Sequence, residues 1–165
     1  MTSSSTARSG GRCSRCWWCE YTRECHRIKV GRRLGSEAVI RALDGLFRRH
    51  GAPEYLRSDN GGEFIAARLK GWLARRGTQT VYVEPGHPWE NGYAESLIGK
   101  LRDKCLNEAV FWGEKHAQVV VERWRRDYNE QRPRSALGYR TPAEMALGAW
   151  LMSQAVAISE TRDGA

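Results

Sequence analysis

Residues 54–96 read EYLRSDNGGEFIAARLKGWLARRGTQTVYVEPGHPWENGYAES, and their punctuation decides the fold class. Tyr55-Leu56 is a short strand that runs into the turn cluster Ser58-Asp59-Asn60-Gly61-Gly62. Ile65, Leu69, Trp72 and Leu73 fall at helical spacing between Phe64 and Arg76, and Gly77 closes that helix. Thr80 to Val83 is a strand, residues 84–91 form a Gly/Pro loop, and a helix runs from about Gly92 to Ala109. Upstream, Tyr21 to Val30 reads as a strand, and Val39, Ile40, Leu43, Leu46 and Phe47 mark a helix from Ser36 to Gly51. Downstream, a helix spans about Glu114 to Tyr128, and the irregular stretch from Pro133 turns helical after Thr141-Pro142. Strands alternating with helices predict a layered α/β domain.

At 165 residues and 18.8 kDa the chain has the length of one domain. No apolar run approaches a membrane span, and Met1 is followed by Thr, Ser, Ala, Arg and Gly rather than an apolar signal segment. The expected compartment is therefore the cytoplasm. Lysines and arginines number 27 against 19 acids, a net charge of +8 with an isoelectric point near 9.6. Such a balance draws a protein to polyanions, nucleic acid first among them. The charge gathers in residues 1–35 and again in residues 115–140, where seven cations face three acids.

Two carboxylates stand out by position. Asp59 ends a strand and opens a glycine turn, where α/β sheets present side chains to a ligand crevice. Glu95 lies in the first turn of the helix that begins near Gly92, and thirty-five residues separate the two acids. Gly92, Gly99 and Arg102 share the helical face of Glu95. Two glycines there forfeit roughly 1 kcal/mol each of helix propensity. That cost fits a bulky ligand pressed against the backbone, with the Arg102 guanidinium available to a phosphate.

SDNGGEF at 58–64, PGHPWENGYAES at 85–96 with GKLRDKCLNE at 99–108, and YNEQRPRSALGYRTPAEMA at 128–146 together resemble a bacterial insertion-sequence transposase with a retroviral-integrase-type catalytic core. The resemblance covers about residues 20–147. It implies an RNase H-like fold and metal-dependent DNA strand transfer by an Asp-Asp-Glu triad. Asp59 and Glu95 would be the second and third acids and would ligate Mg²⁺ or Mn²⁺. It further implies DNA contacts at Asn91, Gly99 and Arg102. The implied partners are element ends and target DNA, with assembly into a homo-oligomer or a mixed complex with an intact transposase. The sequence departs from the family at Cys19, at Leu97-Ile98 and at Arg134.

The larger departure lies at the N-terminus. The family's first acid sits on the first strand, yet residues 1–19 contain neither Asp nor Glu, and counting back from Glu20 lands at Met1. Cys16-Trp17-Trp18-Cys19 is informative at the codon level. Every Trp and Cys codon begins TG, so moving the boundaries one base upstream converts this run to Leu-Val-Val, the reading of a buried central strand. The segment 1–19 is thus expected to be out-of-frame, disordered text that replaces the first strand. Cys13, Cys16 and Cys19 imitate a metal-ligand run that Cys25-His26 could close as zinc, but on this reading they are accidents of codons.

The expected organisation is a non-family segment 1–19, a catalytic core with a basic C-terminal part over 20–147, and a tail over 148–165. The expected fold is an α/β, RNase H-like core lacking its first strand, with impaired catalysis. The alternative function is a non-catalytic DNA-binding remnant that binds DNA or interferes with an intact transposase. A Cys-rich metal-binding regulator is a weaker third reading.

Overall fold

The computed structural model describes residues 2–9, 12–31, 34–58, 67–82 and 92–162, with side chains throughout except at 2–9, 12–15, 18, 93–94 and 154–162. Among the described residues, five strands form one sheet: β1 (Thr2–Ser9), β2 (Arg12–Trp18), β3 (Cys25–Gly31), β4 (Tyr55–Ser58) and β5 (Gln79–Tyr82). Their order across the sheet is β3-β2-β1-β4-β5. The first three strands form an antiparallel meander, while β4 runs parallel to β1 and β5 parallel to β4. The helices are α1 (Ser36–His50), α2 (Ala67–Ala74), α3 (Gly92–Leu101), α4 (Glu114–Glu130) and α5 (Pro142–Arg162).

Two apolar clusters sandwich the sheet. Val39, Ala42, Leu43, Leu46 and Phe47 of α1 pack with Leu69 and Leu73 of α2 against Trp17 and Leu56. On the other side, Leu97, Ile98 and Leu101 of α3 and Ala117, Val121, Trp124 and Tyr128 of α4 pack against Cys16, Cys25, Ile28 and Val30. Helices on both faces of a sheet give the three-layer α/β arrangement expected from the alternation of elements.

The expectation of a missing first strand is corrected. Thr2–Ser9 forms β1 at the centre of the sheet, and its Thr2 pairs with Arg57 of β4. Disorder over 1–19 likewise does not hold for residues 2–9 and 12–18. The physical reason is visible in β2. Cys16 and Trp17, each 1% exposed, point into the two opposite clusters, so this strand is buried on both faces. Cys and Trp are apolar enough for such a position, whatever codon arithmetic produced them. The ladder to β3, with Cys16 opposite Ile28, supplies the non-local pairing that local periodicity did not reveal.

The outer edge of β3 is closed by side-chain amides from α4. Gln118 accepts from the Val30 N–H at 3.0 Å and donates to the Ile28 carbonyl at 2.8 Å. Asn129 treats Cys25 in the same way. An edge strand covered like this offers few backbone groups to another chain.

The stretch after Pro133 follows its expected course. A 3₁₀ turn at Ser135–Leu137 leads to α5, whose start is fixed by a reciprocal cap. The Glu144 N–H donates to Thr141 Oγ1 at 3.2 Å, and the Thr141 N–H donates to Glu144 Oε2 at 2.7 Å. Pro142 occupies the first helical position, where its missing N–H costs nothing. The helix runs through residue 147, so the expected boundary between core and tail falls inside α5.

Candidate nucleic-acid and metal site

β4 ends at Ser58, which is fully buried and immediately precedes Asp59. Asp59 and Asn91 themselves lie outside the described residues. Glu95 is described: it sits in the first turn of α3 and is exposed. Leu97, Ile98 and Leu101 anchor that helix in the core, so its remaining face is turned outward. Glu95 has no ion pair or hydrogen bond among the described residues. Its oxygens are therefore unspent.

Gly92 and Arg102 are exposed and Gly99 is partly so, in keeping with one outward stripe that includes Glu95. A Cβ built at Gly92 or Gly99 meets no atom within 4 Å. Among the described residues nothing packs over these glycines, and the bare backbone there is open. Arg102 begins a π-turn, Arg102–Leu106, closed by the Asn107 N–H on the Arg102 carbonyl at 2.9 Å. This turn extends α3 and buries Cys105 and Leu106.

The cations of residues 115–140 do not form one patch. Lys115, Arg123, Arg125 and Arg126 line a groove of about 1040 Å³ between α1, α4 and β3. Arg125 is already held there, donating to Glu122 at 2.7 Å and to the Cys25 carbonyl at 2.8 Å. The hydrogen bond from Arg125 keeps the Glu122 carboxyl below its ordinary range. Arg132 is bound by Asp127 at 2.7 Å. Arg134 turns elsewhere and lines a small cavity beside α3 together with Lys100. Neither Arg134 nor Lys100 was among the expected site residues. In the sequence Arg134 is only a departure from a motif, because spacing does not reveal that it meets α3.

Of the cysteine run, the Cys13 side chain lies outside the described residues. Cys16 and Cys25 are buried as core residues, while Cys19 is partly exposed. Burial, then the neighbouring Cys16, pushes the Cys25 thiol well above its ordinary value, which keeps it protonated and inert. Among the described residues, no three His, Cys, Asp or Glu side chains come together as a metal cluster.

Two family models, each described as an integrase core domain, match residues 13–88 and 76–142, and so cover the chain from β2 to the start of α5. This chain belongs to the integrase core domain family. The uncharacterized 31.7 kDa protein of insertion element IS407 from Burkholderia multivorans is 42% identical over 127 residues, 77% of this chain and 46% of that protein. The uncharacterized 39.2 kDa protein of insertion element IS476 from Xanthomonas euvesicatoria is 39% identical over 127 residues, 77% of this chain and 37% of that protein. The chain thus spans less than half the length of these curated relatives.

The fold agrees with that membership. The catalytic core domain of BIV integrase superposes with a TM-score of 0.74 at 16% identity, covering 93% of this chain and 97% of that one. The integrase core here is RNase H-like, and β1 is part of it although the family match begins only at residue 13. Among the described residues, no helix is long and apolar enough to cross a membrane.

Proposed function

We propose that this integrase core derives from a DNA transposase and acts in the cytoplasm on element ends and target DNA, with weak cutting and joining. The observation that carries the proposal is the pairing of an outward, unspent Glu95 on α3 with a central strand, β1, that holds no carboxylate over residues 2–9. Asp59 and Glu95 would hold a divalent ion, Mg²⁺ or Mn²⁺. Bound there, such an ion would supply Lewis-acid activation of the attacking oxygen and charge stabilisation of the leaving oxygen of a phosphodiester. Two carboxylates suit one hard cation, but an ion pair lacks its shared anchor without a third.

The chain's own residues would position the DNA. The open backbone at Gly99 admits the sugar-phosphate strand, Arg102 takes a phosphate, and Asn91 adds a hydrogen bond. The second reading, a non-catalytic partner that binds DNA or joins an intact transposase in mixed assembly, is favoured by the same missing acid. Metal-dependent nicking of supercoiled plasmid, measured beside salt-dependent duplex binding, separates the two. A low but Glu95-dependent nicking rate supports the weakened enzyme, whereas binding with no metal-dependent nicking supports the binding remnant.

A further inference from the structure

Beside α3 lies a cavity of about 160 Å³ walled in part by Arg23, Ser96, Lys100, Tyr128, Arg134 and Ser135. Its chemistry is one-sided: among the described residues, three cations and three hydroxyls face it and no carboxylate lines it. The Nε and Nη2 atoms of Arg134 are shut off from solvent and have no hydrogen-bond partner among the described residues. The guanidinium is nevertheless well held. Its Cζ lies 4.2 Å from the centre of the Tyr128 ring. Its backbone N–H donates to the Arg140 carbonyl at 2.9 Å, and its carbonyl accepts from the Tyr139 N–H at 2.8 Å. Buried charged donors without partners are costly, and an anion is the ligand that satisfies them.

We propose that this cavity is an oxyanion site that takes a single phosphate group. The Arg134 fork would meet two phosphate oxygens, Lys100 would supply a point charge, and the Ser96 and Ser135 hydroxyls would complete the set. The volume equals about five waters, room for a tetrahedral phosphate. Partial burial, then the Arg134 and Arg132 charges, lowers the Lys100 ammonium pKa. Ser96 follows Glu95 directly, so the bound group would lie next to the outward face of α3. On the function proposed above, the phosphate is a phosphodiester of DNA; free phosphate offers the same chemistry.

Two measurements on the whole chain, on Arg134→Gln and on Lys100→Gln test the site. Thermal unfolding is compared in inorganic phosphate and in chloride at matched ionic strength. Binding of random-sequence duplex DNA is followed by fluorescence anisotropy across a salt series. Phosphate should raise the unfolding temperature of the unaltered chain but not of either variant. Each variant should bind DNA about three- to ten-fold more weakly, with a salt slope smaller by about one. A phosphate response with DNA binding unchanged in the variants would support the oxyanion site and overturn its assignment to DNA. No phosphate response, together with unchanged affinity and slope in the variants, overturns the proposal. Lys100 is exposed, so its variant keeps the test valid if Arg134→Gln fails to fold. Neither assay requires catalysis, so a chain that fails to nick DNA bears on the proposed function and leaves this site untouched.

Discussion

Asn129 of α4 brackets Cys25 at the head of β3: the Cys25 N–H donates to Oδ1 at 2.9 Å, and Nδ2 donates back to the Cys25 carbonyl at 2.9 Å. The amide imitates a neighbouring strand and is itself 4% exposed. Asn129→Ala should destabilise the fold by about 1–3 kcal/mol, chiefly through the orphaned Cys25 N–H. The carbonyl keeps a second donor, Arg125 Nη1 at 2.8 Å. Urea unfolding should show a lower midpoint with an unchanged slope.

Trp17 tests whether β2 is part of the core. Its ring is buried against α1, but its Nε1 has no hydrogen-bond partner among the described residues. Trp17→Ala should cost about 3–5 kcal/mol, the range for emptying a large aromatic site. Trp17→Phe keeps most of the ring and removes the orphan donor, so it should change stability by about 1 kcal/mol or less in either direction. A disordered segment would make both substitutions silent in urea unfolding.

The rings of His26 and His50 lie 4.5 Å apart, between β3 and the end of α1. Burial lowers both pKa values below 6.5. Glu24 partly offsets this at His26, while His26 and Arg49 add to it at His50. The unfolded chain therefore binds protons first as pH falls. Stability from this pair is complete above the unfolded value near 6.5 and is lost as pH drops through the folded values. Unfolding temperature should decline on acidification below 6.5, and His26→Gln with His50→Gln should flatten that decline.

Most elements were legible because their signals are local. The apolar spacing from Val39 to Phe47 gave α1, and Thr141-Pro142 with Glu144 marked the start of α5 through cap chemistry. Glu95 and its glycine-flanked face were legible for the same reason, since one helix carries them all. β1 and β2 were not. Thr2–Ser9 and Arg12–Trp18 have no periodicity of their own, and their pairing with β4 and β3 is non-local. Arg134 was missed as a site residue because its relation to Lys100 spans separate elements, which no short-range pattern encodes.

β1 carries no carboxylate over residues 2–9. Thr2 pairs with Arg57 in the parallel β1–β4 ladder, so Ser4 lies as far along β1 from Thr2 as Asp59 lies along the chain from Arg57. The decisive measurement is the rate of Mg²⁺- or Mn²⁺-dependent nicking of supercoiled plasmid by the unaltered chain, by Ser4→Asp, and by Ser4→Asp with Glu95→Gln. The unaltered chain should nick weakly or not at all, Ser4→Asp should gain roughly 10- to 100-fold, and that gain should be lost when Glu95 is replaced. Efficient nicking by the unaltered chain, unimproved by Ser4→Asp, would contradict this expectation.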